Sequence, residues 1–148
     1  MRARGMLCVV CCLLASAGAL ATADGAATKD DLARLYQLYF DAKDEAKLNT
    51  LVYWPGIRQP ERESFLRSLK YDLGYALLKV ELVPLKRGET LEYPLNGHTF
   101  RPSLAPVCRM VSTYKGNGAM KNFSTSYLVG AKNGRYYITL ASPQSTSP

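Results

Sequence analysis

Three cysteines crowd the start of the chain. Cys8 and Cys11 stand at the C-x-x-C spacing that metal sites and dithiol redox proteins use, with Cys12 beside them. Cys108 is the only other cysteine and His98 the only histidine. The remaining residues able to do chemistry are carboxylates and tyrosines. Isomerase-type proton transfer needs a carboxylate base in an apolar pocket and a neutral donor, such as tyrosine, for the developing oxyanion. Asp41, directly after Tyr39-Phe40, leads the candidate carboxylates, with Asp44 and Asp72 behind it. Tyr36, Tyr39, Tyr71 and Tyr93 could donate. Tyr36, Tyr39, Phe40, Trp54, Tyr93 and Phe100 are the candidate pocket lining, since aromatic rings serve ligand sites and cores alike. Each has a plainer reading. Asp41 and Asp44 stand where a helix should end, a usual place for capping or solvated Asp. His98 flanks a turn glycine, and Cys108 between Val107 and Met110 reads as a small buried apolar residue.

The cysteine cluster loses its chemistry in context. Arg2 and Arg4 precede an apolar run from Met6 to Ala15, followed by small residues at A-x-A spacing up to Ala23. These are the three parts of a secretory signal peptide. The run is too short to cross a bilayer, which takes about 20 residues. Cleavage is expected after Ala23, giving an exported, periplasmic or extracellular protein with no transmembrane segment. Cys11 and Cys12 lie too early for a lipoprotein signal. Cleavage leaves Cys108 as the sole thiol, so neither a disulfide nor a His/Cys metal site can form, and no cofactor is expected. The chain has no G-x-S-x-G elbow, phosphate-binding glycine loop or paired acidic metal motif. Asn122-Phe123-Ser124 is a glycosylation sequon by pattern, relevant only to a eukaryotic source.

The elements follow from periodicity. Residues 26–75 read as helical. Thr28 caps the first helix with Asp31 three residues on, and Leu32, Leu35, Tyr36, Tyr39 and Phe40 form its apolar face. A short second helix carries Leu48, Leu51 and Val52 and ends at Pro55-Gly56. The third starts at Pro60, and Gly74 should stop it in a left-handed conformation. From Ala76 the period becomes two, with Leu78, Val80 and Leu82 on one face. Asn96-Gly97 predicts a hairpin pairing Tyr93 with Phe100 and Glu92 with Arg101. Asn133-Gly134 predicts another, pairing Ala131 with Tyr136, Val129 with Ile138 and Tyr127 with Leu140. The expected organisation is a signal peptide (1–23), a single α+β domain (24–141) and a disordered polar tail (142–148).

Helices followed by antiparallel strands in this order resemble the nuclear transport factor 2-like superfamily, also called ketosteroid isomerase-like or SnoaL-like. "DDLARLYQLYFDAKDEAKLNTLVYW" is similar to its long first and short second helices, and "FSTSYLVGAKNGRYYITLAS" to its final strand pair. The resemblance implies a curved sheet wrapped as a cone around the long helix, a pocket and a homodimer. Cystatin-like proteins are the near neighbour in fold. Their Q-x-V-x-G inhibitor loop has only Ser126 to Gly130 as a distant counterpart. That counts against protease inhibition.

Charge is divided unevenly. Residues 76–148 carry nine Lys+Arg against three Asp+Glu, whereas residues 24–75 are nearly balanced. The expected function is non-enzymatic binding of a small apolar ligand or a protein partner. The alternatives are a proton-transfer enzyme on the same scaffold, and an envelope protein meeting anionic surfaces through its basic sheet half. No nucleic-acid partner is expected.

Overall fold

A computed structural model describes residues 24–144. The expected leader and the last four residues of the tail lie outside the described residues. Helix α1 (Lys29–Asp41) begins at Thr28, whose Oγ1 accepts from the Asp31 N–H at 3.0 Å. Helix α2 (Glu45–Thr50) is capped by Asp44, whose Oδ1 accepts from the Lys47 N–H at 3.0 Å. Strand β1 (Val52–Tyr53), helix α3 (Gln59–Asp72) and strands β2 (Ala76–Pro84), β3 (Tyr93–Leu95), β4 (His98–Pro102), β5 (Pro106–Lys115), β6 (Phe123–Lys132), β7 (Arg135–Thr139) and β8 (Ala141–Pro143) follow. The architecture is α+β. A mixed five-stranded sheet runs β1-β7-β6-β5-β2, and a small sheet runs β3-β4-β8.

Both Asn-Gly turns form as their chemistry demands. Asn96 and Gly97, like Asn133 and Gly134, all take positive φ, the geometry of a type I′ turn. Tyr93 pairs with Phe100, Ala131 with Tyr136 and Val129 with Ile138. Glu92 lies outside β3 and meets Arg101 through a side-chain ion pair at 2.8 Å rather than through the strand ladder.

Several local expectations are corrected. Val52 leaves the second helix and pairs in parallel with Ile138, so a strand stands where helix was expected. Gly74 is not left-handed. Its N–H bonds Tyr71 O at 3.0 Å and the chain runs directly into β2. A bulge between Leu77 and Lys79 turns Leu78 outward, 46% exposed, and gives its inner place to Leu77. Finally, the fold does not end at residue 141, because Ser142 and Pro143, expected in the tail, pair with Arg101 and Phe100.

The main core lies between the helices and one face of the large sheet. Leu32, Tyr36 and Phe40 of α1 meet Met110 and Tyr114 of β5, Val129 of β6 and Ile138 of β7, all almost fully buried. The core runs from Ala26 to Ile138, so the packed body begins just after Asp24. The opposite face is crossed by residues 103–105. Ser103 and Thr139 share a hydroxyl hydrogen bond at 2.9 Å, the Leu104 N–H donates to Thr139 Oγ1 at 2.9 Å, and Ser103 N–H donates to Leu140 O at 2.9 Å. Leu140 thereby leaves β6, rather than pairing with Tyr127 as expected, and β8 joins the small sheet.

Gly130 lies under that crossing. A Cβ there would stand 2.5 Å from Leu104 Cβ and 3.3 Å from Ala105 O. Gly130→Ala should therefore destabilise the fold by about 1–3 kcal/mol through overpacking, measured by urea denaturation. An unchanged midpoint would show that the crossing is not a close contact.

Candidate functional site

The bend at Leu140 opens a gap in the sheet. Strand β7 ends at Thr139, opposite Leu128, yet β6 continues back to Phe123. In a two-residue hairpin, the pair flanking the turn exchanges both backbone hydrogen bonds, and alternate residues then do the same. Lys132, Gly130 and Leu128 therefore aim their N–H and C=O groups at β7. Ser126 and Ser124 aim theirs the same way, past its end. No described strand lies opposite them. The edge borders an open cleft of about 670 Å³. Helix α3 supplies one wall through Glu61, Ser64, Phe65 and Ser68, a stripe at helical spacing. The small sheet supplies the other through Tyr93, Leu95, His98 and Phe100, with the Tyr93 and Phe100 rings stacked at 5.3 Å. Residues 125–128 form the floor. Arg58 and Glu61 pair at 2.6 Å on its rim, and this contact holds the Glu61 carboxyl below the usual range.

Behind that floor sits a buried polar cluster. Ser112 and Thr125 face each other across β5 and β6, a polar slot in an otherwise apolar face. Asp72, at the end of α3 and only 4% exposed, reaches into it. Thr125 Oγ1 donates to Asp72 Oδ2 at 2.9 Å, and the Tyr127 hydroxyl approaches the same oxygen at 3.5 Å. Tyr36 and Tyr114 share a hydroxyl hydrogen bond at 3.0 Å. Burial is the largest cause of the raised Asp72 pKa, opposed by the Thr125, Tyr114 and Tyr127 hydroxyls. Burial also pushes the Tyr36, Tyr114 and Tyr127 hydroxyls far above the ordinary tyrosine range. Burial thus keeps the three tyrosines neutral and disfavours the charged form of Asp72.

Of the aromatics expected at a pocket, Tyr93 and Phe100 line the cleft. Tyr36 and Phe40 do not, being enclosed in the core at 1% and 0% exposure. Tyr39 is partly buried, with Lys47 Nζ 5.7 Å from its ring. Trp54 packs edge-on to Phe65, lies under the Arg62 guanidinium at 4.5 Å, and donates to Asn49 O at 2.9 Å. Asp41 is exposed at the end of α1 and lines a separate open depression with Lys43, Leu73, Tyr75 and Leu77. Asp72, ranked behind it, is the carboxylate among tyrosines. Cys108 is buried, and burial raises its thiol pKa. Thr125, Tyr114 and Tyr127 were missed as a group. Their signal was the pair of hydroxyl residues, Ser112 and Thr125, interrupting two apolar alternations. Among the described residues, no three His, Cys, Asp or Glu side chains come together as a metal site, and no helix is long and apolar enough to cross a membrane. The chain matches no family model, no curated protein and no solved structure.

The raised Asp72 pKa fixes the sign of a pH effect. Between the ordinary carboxyl value of 3.8 and the raised one, the folded state binds more protons than the unfolded. Stability from this group is therefore complete below the ordinary value and declines as pH rises through the raised one. Asp72→Asn should flatten that decline, read as unfolding free energy from urea titrations at about pH 4 to pH 7. Parallel slopes in both proteins would show that Asp72 is not held in its neutral form.

Proposed function

We propose that this chain is an exported, non-enzymatic binding domain whose cleft takes an extended segment of a partner polypeptide. The observation that carries this reading is the unpaired β6 edge at the cleft floor. An extended backbone satisfies the Ser124 and Ser126 groups as an added strand, the usual mode of β-augmentation. The walls suit alternating side chains, with Phe65, Tyr93 and Phe100 for apolar groups and Ser64 and Ser68 for polar ones. A small apolar ligand fits less well, because Arg58, Glu61, Ser64, Ser68 and Ser126 set polar groups along an open cleft. The helix–strand order and the cover of helices over one sheet face support kinship with the nuclear transport factor 2-like superfamily, and with it homodimer formation.

A second reading, proton transfer, draws on Asp72 beside the Tyr127 hydroxyl. It ranks below the first because Asp72 does not line the cleft; Thr125 and Tyr127 stand between. Export rests on the leader, and intact mass of the secreted protein should begin at Asp24. A product retaining residues 1–23 would remove the compartment.

Panning a phage-displayed heptapeptide library against the chain from Asp24 should enrich peptides that protect the Ser124 and Ser126 amides from hydrogen exchange. Leu128→Arg, which fills the floor, should weaken them at least tenfold. No enrichment, or enriched peptides that leave both amides unprotected, would refute the reading.

A further inference from the structure

A separate surface lies at the end of the molecule where α3 stops and β5 turns back into β6. The turn is a folded tip rather than a loose loop. Met120 N–H donates to Asn117 O at 3.1 Å, and Gly116 N–H donates to Asn122 Oδ1 at 3.3 Å. Gly116 lies so close beneath the tip that a Cβ there would be 2.2 Å from Met120 O. This folding holds Met120 outward, 46% exposed, between the exposed lysines Lys115 and Lys121.

Rings join the tip to α3. Phe123, the first residue of β6, meets Tyr75 edge-on at 4.9 Å, and Tyr75 meets Tyr71 at 5.2 Å. Tyr71 is 57% exposed. Lys115 pairs with Ala76, so the start of β2 and its bulged Leu78 adjoin the same end. Lys70 is exposed beside Tyr71, and Lys43 Nζ donates to Tyr75 O at 3.0 Å. The nearby carboxylates offset little of this charge. Glu81 is engaged by Lys79 at 2.8 Å and Asp72 is buried, leaving Asp41 exposed.

We propose that this end docks on a lipid bilayer bearing anionic headgroups. Met120, Leu78 and Tyr71 enter the interfacial layer, and Lys43, Lys70, Lys115 and Lys121 face the headgroup phosphates. The charge complementarity selects the partner. Exposed apolar side chains at the same end as these lysines match a surface that is apolar within and negative at its rim. Three apolar anchors are too few to hold a neutral bilayer, so association depends on lipid charge and is screened by salt. The bulge at Leu78 gains a role here, since without it that side chain would face the core.

Sedimentation with vesicles tests this. The chain from Asp24 should bind phosphatidylcholine vesicles containing phosphatidylglycerol, bind pure phosphatidylcholine at least tenfold more weakly, and be released by high salt. Lys115→Glu with Lys121→Glu should lower binding at least tenfold, and Met120→Ser severalfold. Both variants should keep the wild-type circular dichroism and the peptide binding of the cleft. Equal binding to neutral vesicles, no binding to anionic ones, or anionic binding that survives reversal of the tip charges would overturn the proposal.

Discussion

Tyr36 and Tyr114 meet hydroxyl to hydroxyl in a core built mainly of apolar side chains. Neither ring reaches water, so each hydroxyl depends on the other and on its buried neighbours. A buried hydroxyl left without a partner costs about 1–3 kcal/mol. Sliding α1 along the sheet would therefore cost more than lost packing, because it would strand both groups. Apolar contacts alone tolerate several arrangements of a helix on a sheet. The tyrosine pair admits one, and it fixes where Leu32 and Phe40 fall against β5. The position of α1 then leaves α3 to cover the remaining part of the face, where Phe65 meets Tyr127 at 5.7 Å and Asp72 enters the slot between Ser112 and Thr125.

The cleft has a different origin. A hairpin as regular as β6–β7 would ordinarily zip to the end of the shorter strand and continue. Here the backbone of residues 103–104 and the Thr139 hydroxyl capture the chain first. The Leu140 carbonyl accepts from Ser103, and Ala141, whose backbone would have faced Ser126, pairs with Pro102 instead. One set of hydrogen bonds thus closes the small sheet and exposes the large one. Protein sheets usually hide or pair their edges, since an open edge invites unwanted partners. The β2 edge follows that rule, with a bulge, Lys79, Glu81 and Pro84 along it. The exposed part of β6 carries serine and threonine and is walled on both sides.

Features set within a few residues were legible in the sequence. The Thr28 cap, the α1 stripe and both Asn-Gly turns with their registers rest on local chemistry, and each was read from its own segment. The Tyr93–Phe100 pairing followed from one such turn. Features requiring distant contact were not legible. Val52 becomes a strand only because Ile138 lies beside it. Ser142 and Pro143 look like tail until β4 pairs with them. Leu78 fits the alternation on paper, and a bulge set by pairing with β5 overrides it. Asp41 and Asp72 illustrate the limit for the site. Both sit at helix ends, both lie near aromatics in sequence, and only the packing of α3 on β6 separates a solvated carboxylate from a buried one.

That separation also bears on chemistry. A general base must be ionised at the working pH and must reach its substrate. Burial disfavours the ionised form of Asp72, and Thr125 and Tyr127 screen it from the cleft. The tyrosines are held neutral still more strongly. Thr125 and Tyr127 thus stand between Asp72 and any molecule bound in the cleft. Thr125 and Tyr127 belong to both regions, with side chains holding Asp72 and the strand they share forming the cleft floor. The cluster thereby stiffens the β6 edge from behind. A rigid edge loses less entropy on pairing with an incoming strand, so under the proposed strand-binding reading the buried acid and its hydroxyls would aid recognition by keeping that edge straight.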